Sequence, residues 1–518
     1  MTSCDVAIVG GGHNGLAAAA YLARAGLRTV VLERLDHVGG AAVSAEAFPG
    51  TGVRLSRYSY LVSLLPTSIV RDLGLDIDLR SRATASYSPT IRDGRPAGLY
   101  VGTDLGQRTR ASFHALTGGD HEFEAWQRFY ADVSTIAEVV EPTFVEALPD
   151  PAALRAQVDD GLWRAIVEEP LGTVIEERFA DDLVRGVVAT DGLIGTFADL
   201  HDPSLIQNRC FLYHLVGNRT GEWRVPVGGM GSVTDALARA VADAGATLTT
   251  GATVTAIEPG ERPVVRWQDA DGEHALEAGV VLANVAPWVL DGLLGEAPAT
   301  QKPQGAQLKI NFLLSRLPRL RSGEDPALAF AGTLHVGEEY AALGTAHAEA
   351  AAGAIPSSPP GEFYCHSLTD PSILGPLAGT GAQTLTYFGL HMPANLFATD
   401  PAGAKQEAVR RTVAAIDAHL AEPLMDCLVT DADGNPCLEA KIPQDVEADL
   451  NMPGGHIFHG DLSWPWAYDG EPLDTPARRW GVATDHPGVL LCGSGARRGG
   501  AVSALGGHNA AHAVFEMR

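Results

Sequence analysis

Lysine is nearly missing from this 518-residue chain, which has only Lys302, Lys309, Lys405 and Lys441. Acidic residues number 63 against 37 basic ones, for a formal net charge of −26. That sign excludes a nucleic-acid partner, because phosphate binding needs clustered Lys and Arg. Anionic lipid also repels such a surface, leaving at most peripheral, apolar membrane contact. Cysteine is equally sparse. Cys4, Cys210, Cys365, Cys427, Cys437 and Cys492 form no C-x-x-C pair, which excludes a dithiol of that spacing, half a zinc site and a disulfide scaffold. They read as small buried residues in a reducing compartment. One stretch, 371–399, carries no Asp, Glu, Lys or Arg, but its three prolines and four glycines would interrupt a spanning helix. No basic and then apolar leader precedes the first strand pattern, so a cytoplasmic protein without a signal peptide is expected. The chain has neither a G-x-S-x-G elbow nor an H-E-x-x-H helix. His456 and His459 lie three apart in what reads as a turn into a strand, so no metal site is expected.

The composition, 46% hydrophobic and 19% charged, excludes disorder for most of the chain. Its length calls for more than one lobe. The first 33 residues carry the strongest signal. A short apolar run, 4–9, ends in Gly10-Gly-Gly-His-Asn-Gly15. An Ala-rich helix over 16–25 follows, and then a second strand over 29–33. This is a βαβ unit with G-x-G-x-x-G in its first turn. Gly10 permits the tight turn, Gly12 lets backbone N–H groups approach a pyrophosphate, and Gly15 lets helix and strand close on each other. His13 and Asn14 lie in the same turn, with His13 expected to point away from a cofactor or to bond backbone. Glu33 stands 18 residues after Gly15, where a carboxylate accepts ribose hydroxyls, with Arg34 beside it.

This fingerprint fits NAD or FAD equally. Two further features favour FAD. Gly39-Gly40, with Ala41, follows the acid closely and gives a loop where backbone can approach an extended cofactor. Near the C-terminus, Leu490-Leu-Cys-Gly-Ser-Gly-Ala-Arg-Arg-Gly-Gly-Ala-Val502 repeats strand, glycine turn and helix without a second fingerprint. A flavin needs a donor or helix start near N1 and C2=O, and Gly493, Ser494, Gly500, Ala501 and Val502 are the candidates. Val254, in a β-rich run, is added to the cofactor set.

Elsewhere the sequence predicts a helix over 232–244, strands over 247–250 and 253–258, and a hairpin of 264–268 with 274–277. Separate buried strands over 280–284 and 488–492 and a last helix over 501–515 follow. The predicted fold class is α/β, a Rossmann-like FAD-binding domain with an inserted α+β substrate domain. The first comprises 1–75, 222–300 and 480–518. The second comprises 76–221, read as helical, and 301–479, read as strands over 309–314 and 383–390 with a helix over 405–419.

Several motifs combine here: Gly10-Gly-Gly-His-Asn-Gly-Leu16, Gly39-Gly-Ala-Ala-Val43, Ser56-Arg-Tyr-Ser-Tyr-Leu-Val-Ser-Leu-Leu65, Gly228-Gly-Met-Gly231, Lys309-Ile-Asn311, Gly454-Gly-His-Ile-Phe-His459, and Cys492-Gly-Ser-Gly495 through Gly506-Gly-His-Asn-Ala510. In that combination the chain resembles phytoene-dehydrogenase-like FAD oxidoreductases of the amine-oxidase-like superfamily. The branch of pyridine nucleotide-disulphide oxidoreductase domain-containing protein relatives is the nearest. The resemblance implies an FAD-dependent dehydrogenase or desaturase that passes a hydride from an apolar, carotenoid- or lipid-like substrate to flavin N5. The electron acceptor stays open between a quinone and oxygen. The alternatives are a redox-neutral isomerase, a saturase, an amine oxidase, or a flavin-containing regulatory protein without turnover. The resemblance also implies that Lys309 approaches flavin N5, often through water. Relatives carry His-Pro after the C-terminal glycine turn where this chain has Arg497-Arg498. Tyr58, Tyr60, Tyr387, His391, Trp464, Trp466 and Tyr468 are candidates for the substrate wall.

Overall fold

The computed structural model describes residues 2–518. Two seven-stranded sheets organise them. The first runs Thr253–Glu258, Val264–Asp269, Gly272–Ala283, Thr2–Val9, Thr29–Leu32, Thr247–Thr249, with Val489–Leu491 pairing with the end of Gly272–Ala283. Its central pairs are parallel. Val6, Ala7 and Ile8 are fully buried, as expected where both faces of a parallel sheet are covered.

The helix His13–Arg24 lies on this sheet. Ala17, Ala18, Ala19 and Ala20 have no exposed surface, and such small side chains let Gly231–Asp243 and Leu505–Glu516 both close on it. At the second crossing, a Cβ on Gly507 would fall 1.9 Å from the Asn14 carbonyl oxygen. The helix starts three residues before the predicted 16, since tertiary packing overrides the poor helix propensity of Asn and Gly. The last helix starts later than predicted, at Leu505, because Ala501 and Ala504 take left-handed φ of 58° and 61°. The runs read as separate strands over 274–277 and 280–284 are one strand, Gly272–Ala283. Gly279 sits inside it where a Cβ would meet the Asp5 carbonyl at 2.8 Å. It marks a close backbone approach, which is the other meaning of glycine in a strand.

The second sheet runs Leu438–Lys441, Leu308–Leu314, Gln383–Gly389, Gly361–Tyr364, Thr333–Val336, Thr84–Arg92, Arg95–Gly102. All seven residues of Leu308–Leu314 are buried. The hairpin of Thr84–Arg92 with Arg95–Gly102 corrects the helical reading of 76–221. Its turn, Asp93-Gly94, has φ of 50° and 72°, the signature of a two-residue type I′ hairpin. Pro89 and Pro96 hide it, since proline argues against a strand; Pro96 is tolerated because Arg95–Gly102 is an edge. The rest of 76–221 is largely helical, including the long helix His121–Val140. Among the described residues, no helix is long and apolar enough to cross a membrane.

Candidate functional site

Gly10 leaves the first strand with φ of +102°, a conformation glycine supplies without steric cost. Asn284, just beyond the neighbouring strand, donates from Nδ2 to the Gly10 carbonyl at 2.9 Å. Gly15 packs beneath this pair. A Cβ there would lie 2.2 Å from the Gly10 oxygen and 2.7 Å from Asn284 Nδ2. Gly12 is different. It caps the helix in an extended conformation, no side chain bonds the first turn, and its missing Cβ would meet only Asn284 Nδ2, at 3.3 Å. The helix start thus presents backbone donors and partial positive charge with space in front of them.

Glu33 is buried and accepts from Gly11 N–H at 2.7 Å and from Leu35 N–H at 2.8 Å. Each carboxylate oxygen retains a lone pair for a further donor. Gly39 N–H donates to Gly11 at 2.9 Å, and Gly40 passes directly over Gly12. Arg34 turns away to the Asp449 carbonyl at 2.8 Å. Val254 sits opposite Trp267 in a strand separated from the fingerprint strand by two others, packed on an apolar cluster. Gly493 comes back against Asn284, which sequence reasoning missed. The polar residue ending a buried strand, in Leu282-Ala-Asn284, was its signal.

A cavity of about 480 Å³ opens beside the helix start, where it is lined by His13, Ala41, Ser494, Gly500, Ala501 and Val502. His13 is largely buried, and its Nε2 has no hydrogen-bond partner; neither does Asn14 Oδ1. Burial pushes the His13 pKa down to about 4, so the ring is neutral. It faces the cavity and is not spent on backbone alone, as the sequence reading expected. Tyr58 and Tyr60 line the wall; Tyr387, His391, Trp464, Trp466 and Tyr468 do not.

Lys309 stands in the middle of that wall, between Phe388 and Lys441 in the strand register. Its Nζ donates to the Ser56 carbonyl at 3.1 Å and to the Tyr58 carbonyl, and lies 5.0 Å from the Tyr60 ring centre. Burial holds its pKa well below the usual lysine range, with Glu439 opposing and Lys441 adding to the effect. The neighbouring Lys441 is paired with Asp449 at 2.6 Å.

At the far end the cavity meets His335 and Glu362 on the second sheet, Asp191 at the end of the helix Asp182–Thr190, and Arg82 alongside. Tyr364 donates to Glu362. Burial, reinforced by Glu338, pushes the Glu362 pKa up to about 8. No sequence motif joins these positions; strand register pairs His335 with Glu362, and Asp191 and Arg82 come to them from outside the strands.

The arginines that replace His-Pro leave the cavity. Arg498, 1% exposed with φ of +66°, donates to the carbonyls of Thr143 and Glu146 at 2.7 Å and of Trp480 at 3.2 Å. Arg497 binds the Trp466 carbonyl at 2.8 Å and Glu471 at 2.7 Å. All six cysteines are buried and unpaired. His456 and His459 follow a 3₁₀ turn at Pro453–Gly455 and enter no strand, correcting that expectation.

Comparison with known proteins fits this geometry. The NAD(P)-binding Rossmann-like domain family matches residues 8–70. An uncharacterized protein of Mycobacterium tuberculosis is 51% identical over 99% of this chain and 97% of its own. Pyridine nucleotide-disulfide oxidoreductase domain-containing protein 2 of Mus musculus is 30% identical over 99% and 93%. Among solved structures, cyclohexylamine oxidase from Brevibacterium oxydans aligns over the whole of both chains at 16% identity with a TM-score of 0.57. Putrescine oxidase bound to putrescine aligns over 99% of each at 17% identity with a TM-score of 0.56. These two share the fold, an α/β architecture with a Rossmann-like domain. By sequence, the chain belongs to the oxidoreductase family of pyridine nucleotide-disulfide oxidoreductase domain-containing protein 2.

Proposed function

We propose that this FAD-dependent oxidoreductase dehydrogenates an apolar, lipid- or carotenoid-like substrate held in the cavity between the glycine-rich end and the second sheet. The observation that carries the reading is one continuous cavity that joins the uncapped helix start to an aromatic and aliphatic wall interrupted by buried Lys309. The glycine-rich end fits a dinucleotide: the helix start is free of a side-chain cap, Glu33 keeps acceptor capacity, and His13 Nε2 and Asn14 Oδ1 are buried without partners. Bound there, FAD supplies a two-electron acceptor for the substrate hydride.

The rest is done by the chain's own residues. Leu61, Leu64, Trp126, Ile194 and Phe388 offer apolar surface to a hydrocarbon body and exclude water from it. Lys309 Nζ donates to the Ser56 and Tyr58 carbonyls, while burial disfavours its charged form. Its third direction faces the cavity wall, where it can hold a water.

The test is mass balance. Heat-denatured protein should release a yellow supernatant with the mass of FAD. Apolar polyene and lipid candidates incubated with the enzyme should lose two hydrogens, with reoxidation followed against oxygen and a quinone. A product of unchanged mass, or one gaining two hydrogens, overturns dehydrogenation in favour of isomerisation or saturation.

A further inference from the structure

The polar end of the cavity holds a ligand set that hydride transfer does not require. His335 lies on Thr333–Val336 and Glu362 on the antiparallel neighbour Gly361–Tyr364, and the two are direct partners in the register. Their side chains therefore stand side by side on one face. Gly337, with φ of +68°, turns the chain so that Glu338 returns beneath His335. His335 Nδ1 is in contact with Glu338 Oε2 and lies 3.8 Å from Glu362 Oε1. One ligand atom from each residue lies within 4.8 Å of the other two. All three side chains are more than nine-tenths buried.

Hydrogen bonds from neighbouring hydroxyls hold the carboxylates in place. Thr190 Oγ1 donates to Glu338 Oε2 at 2.9 Å, and the Tyr364 hydroxyl donates to Glu362 Oε2. Outer donors of this kind orient the ligands of metal sites. The remaining oxygen of Glu338, Oε1, is buried with no hydrogen-bond partner. A carboxylate oxygen in that position has an unmet demand for a donor or a cation.

We propose that His335, Glu338 and Glu362 bind a divalent transition-metal cation whose open coordination position faces the cavity. One imidazole and two carboxylates, with no thiolate, suit Zn²⁺ or Mn²⁺ and not Cu⁺. Nitrogen and oxygen ligands on tetrahedral zinc stand about 3.3 Å apart. The close His335–Glu338 contact and the 3.8 Å separation from Glu362 bracket that spacing. Small side-chain rotations are enough to complete the site. His335 and Glu362 line the cavity and Glu338 does not, which leaves the cavity side for the fourth ligand.

The test uses the full-length FAD-loaded protein, freed of metal with a chelator and then titrated with Zn²⁺ and, separately, Mn²⁺ by calorimetry. One Zn²⁺ per chain is expected, with a dissociation constant on the order of micromolar or tighter. Glu362→Gln and His335→Gln should each weaken it at least about tenfold at unchanged flavin content. X-ray absorption at the zinc edge of the wild-type complex keeps the result decisive should either variant fail to fold. A shell of nitrogen and oxygen that includes one imidazole supports the site. Sulfur in the shell, no saturable binding in the wild type, or wild-type affinity in both folded variants overturns it.

Discussion

The two ends of the cavity are built from different material. The glycine-rich end is made of backbone: the Gly10 turn, the helix start at Gly12 and the Gly39-Gly40 crossing, tied by Asn284 and Glu33. The far end is made of side chains brought side by side by strand pairing, His335 with Glu362 above all. Backbone geometry demands glycine at fixed offsets and so leaves a trace in the sequence. Side chains that meet through register leave none, because their spacing along the chain is arbitrary.

Two substitutions at the first end should separate fold from cofactor. Gly15→Val puts atoms into the Gly10 carbonyl and Asn284, and overpacking against backbone costs about 1–3 kcal/mol or more. Flavin content should vanish, and the thermal midpoint of the apoprotein should fall. Gly12→Val meets little protein and has an ordinary φ of −72°. It should abolish flavin binding while the apoprotein melts within about 2 °C of wild type. Equal melting of the two variants would erase the distinction between a glycine kept for packing and one kept for a ligand.

A smaller loss is expected at Glu33. Glu33→Gln presents an amide N–H₂ to one of two backbone N–H donors, Gly11 or Leu35. Leaving a buried donor unpaired costs about 1–3 kcal/mol, so FAD affinity should drop by at least about tenfold in fluorescence titration.

Lys309→Met tests the middle of the wall. At full flavin occupancy, one flavin half-reaction should slow at least about tenfold, equivalent to ~1.4 kcal/mol. Stability carries a second signature. The folded pKa lies below the ordinary 10.5, so between those values the unfolded chain binds the extra proton. Wild-type stability from this group therefore rises with pH through that window. Denaturant titrations from neutral to alkaline pH should show wild type gaining on the variant. A constant difference would mean that Lys309 stays charged.

The smallest effect belongs to Cys365→Ser. Its thiol is buried, with Ser367 Oγ at 3.6 Å and Gln383 Oε1 at 3.7 Å near it. Flavin reduction and reoxidation rates should stay within about twofold of wild type.

The βαβ unit was legible because periodicity, glycine offsets and the acid agree over 33 residues. The hairpin at Asp93-Gly94 was legible in its turn and hidden by Pro89 and Pro96. Gly279 was misread as a break because a strand glycine means either an end or a close neighbour, and only the position of Asp5 decides. Lys309 was placed in the right strand, yet its burial follows from Phe388 and Lys441 on the flanking strands, and a single strand's pattern does not reveal its neighbours. Asp191 at a helix end, Glu338 beyond a turn and Glu362 on a strand could not be gathered from sequence, because only tertiary packing brings them together. The turning away of Arg497 and Arg498 depends on carbonyls 18 to 355 residues distant.

The strand Gly272–Ala283 pairs with Thr2–Val9 on one side and with Val489–Leu491 on the other. During synthesis, the first strand thus waits for some 270 residues to emerge before gaining this partner, and the sheet is completed only when nearly the whole chain is out. Helix Leu505–Glu516, seated on Asn14 through Gly507, arrives later still. The glycine-rich turn is among the first parts made and among the last to be enclosed. Such long-range closure is slow, and a ribosome stalled short of residue 489 would carry a nucleotide-binding fingerprint with an open sheet above it.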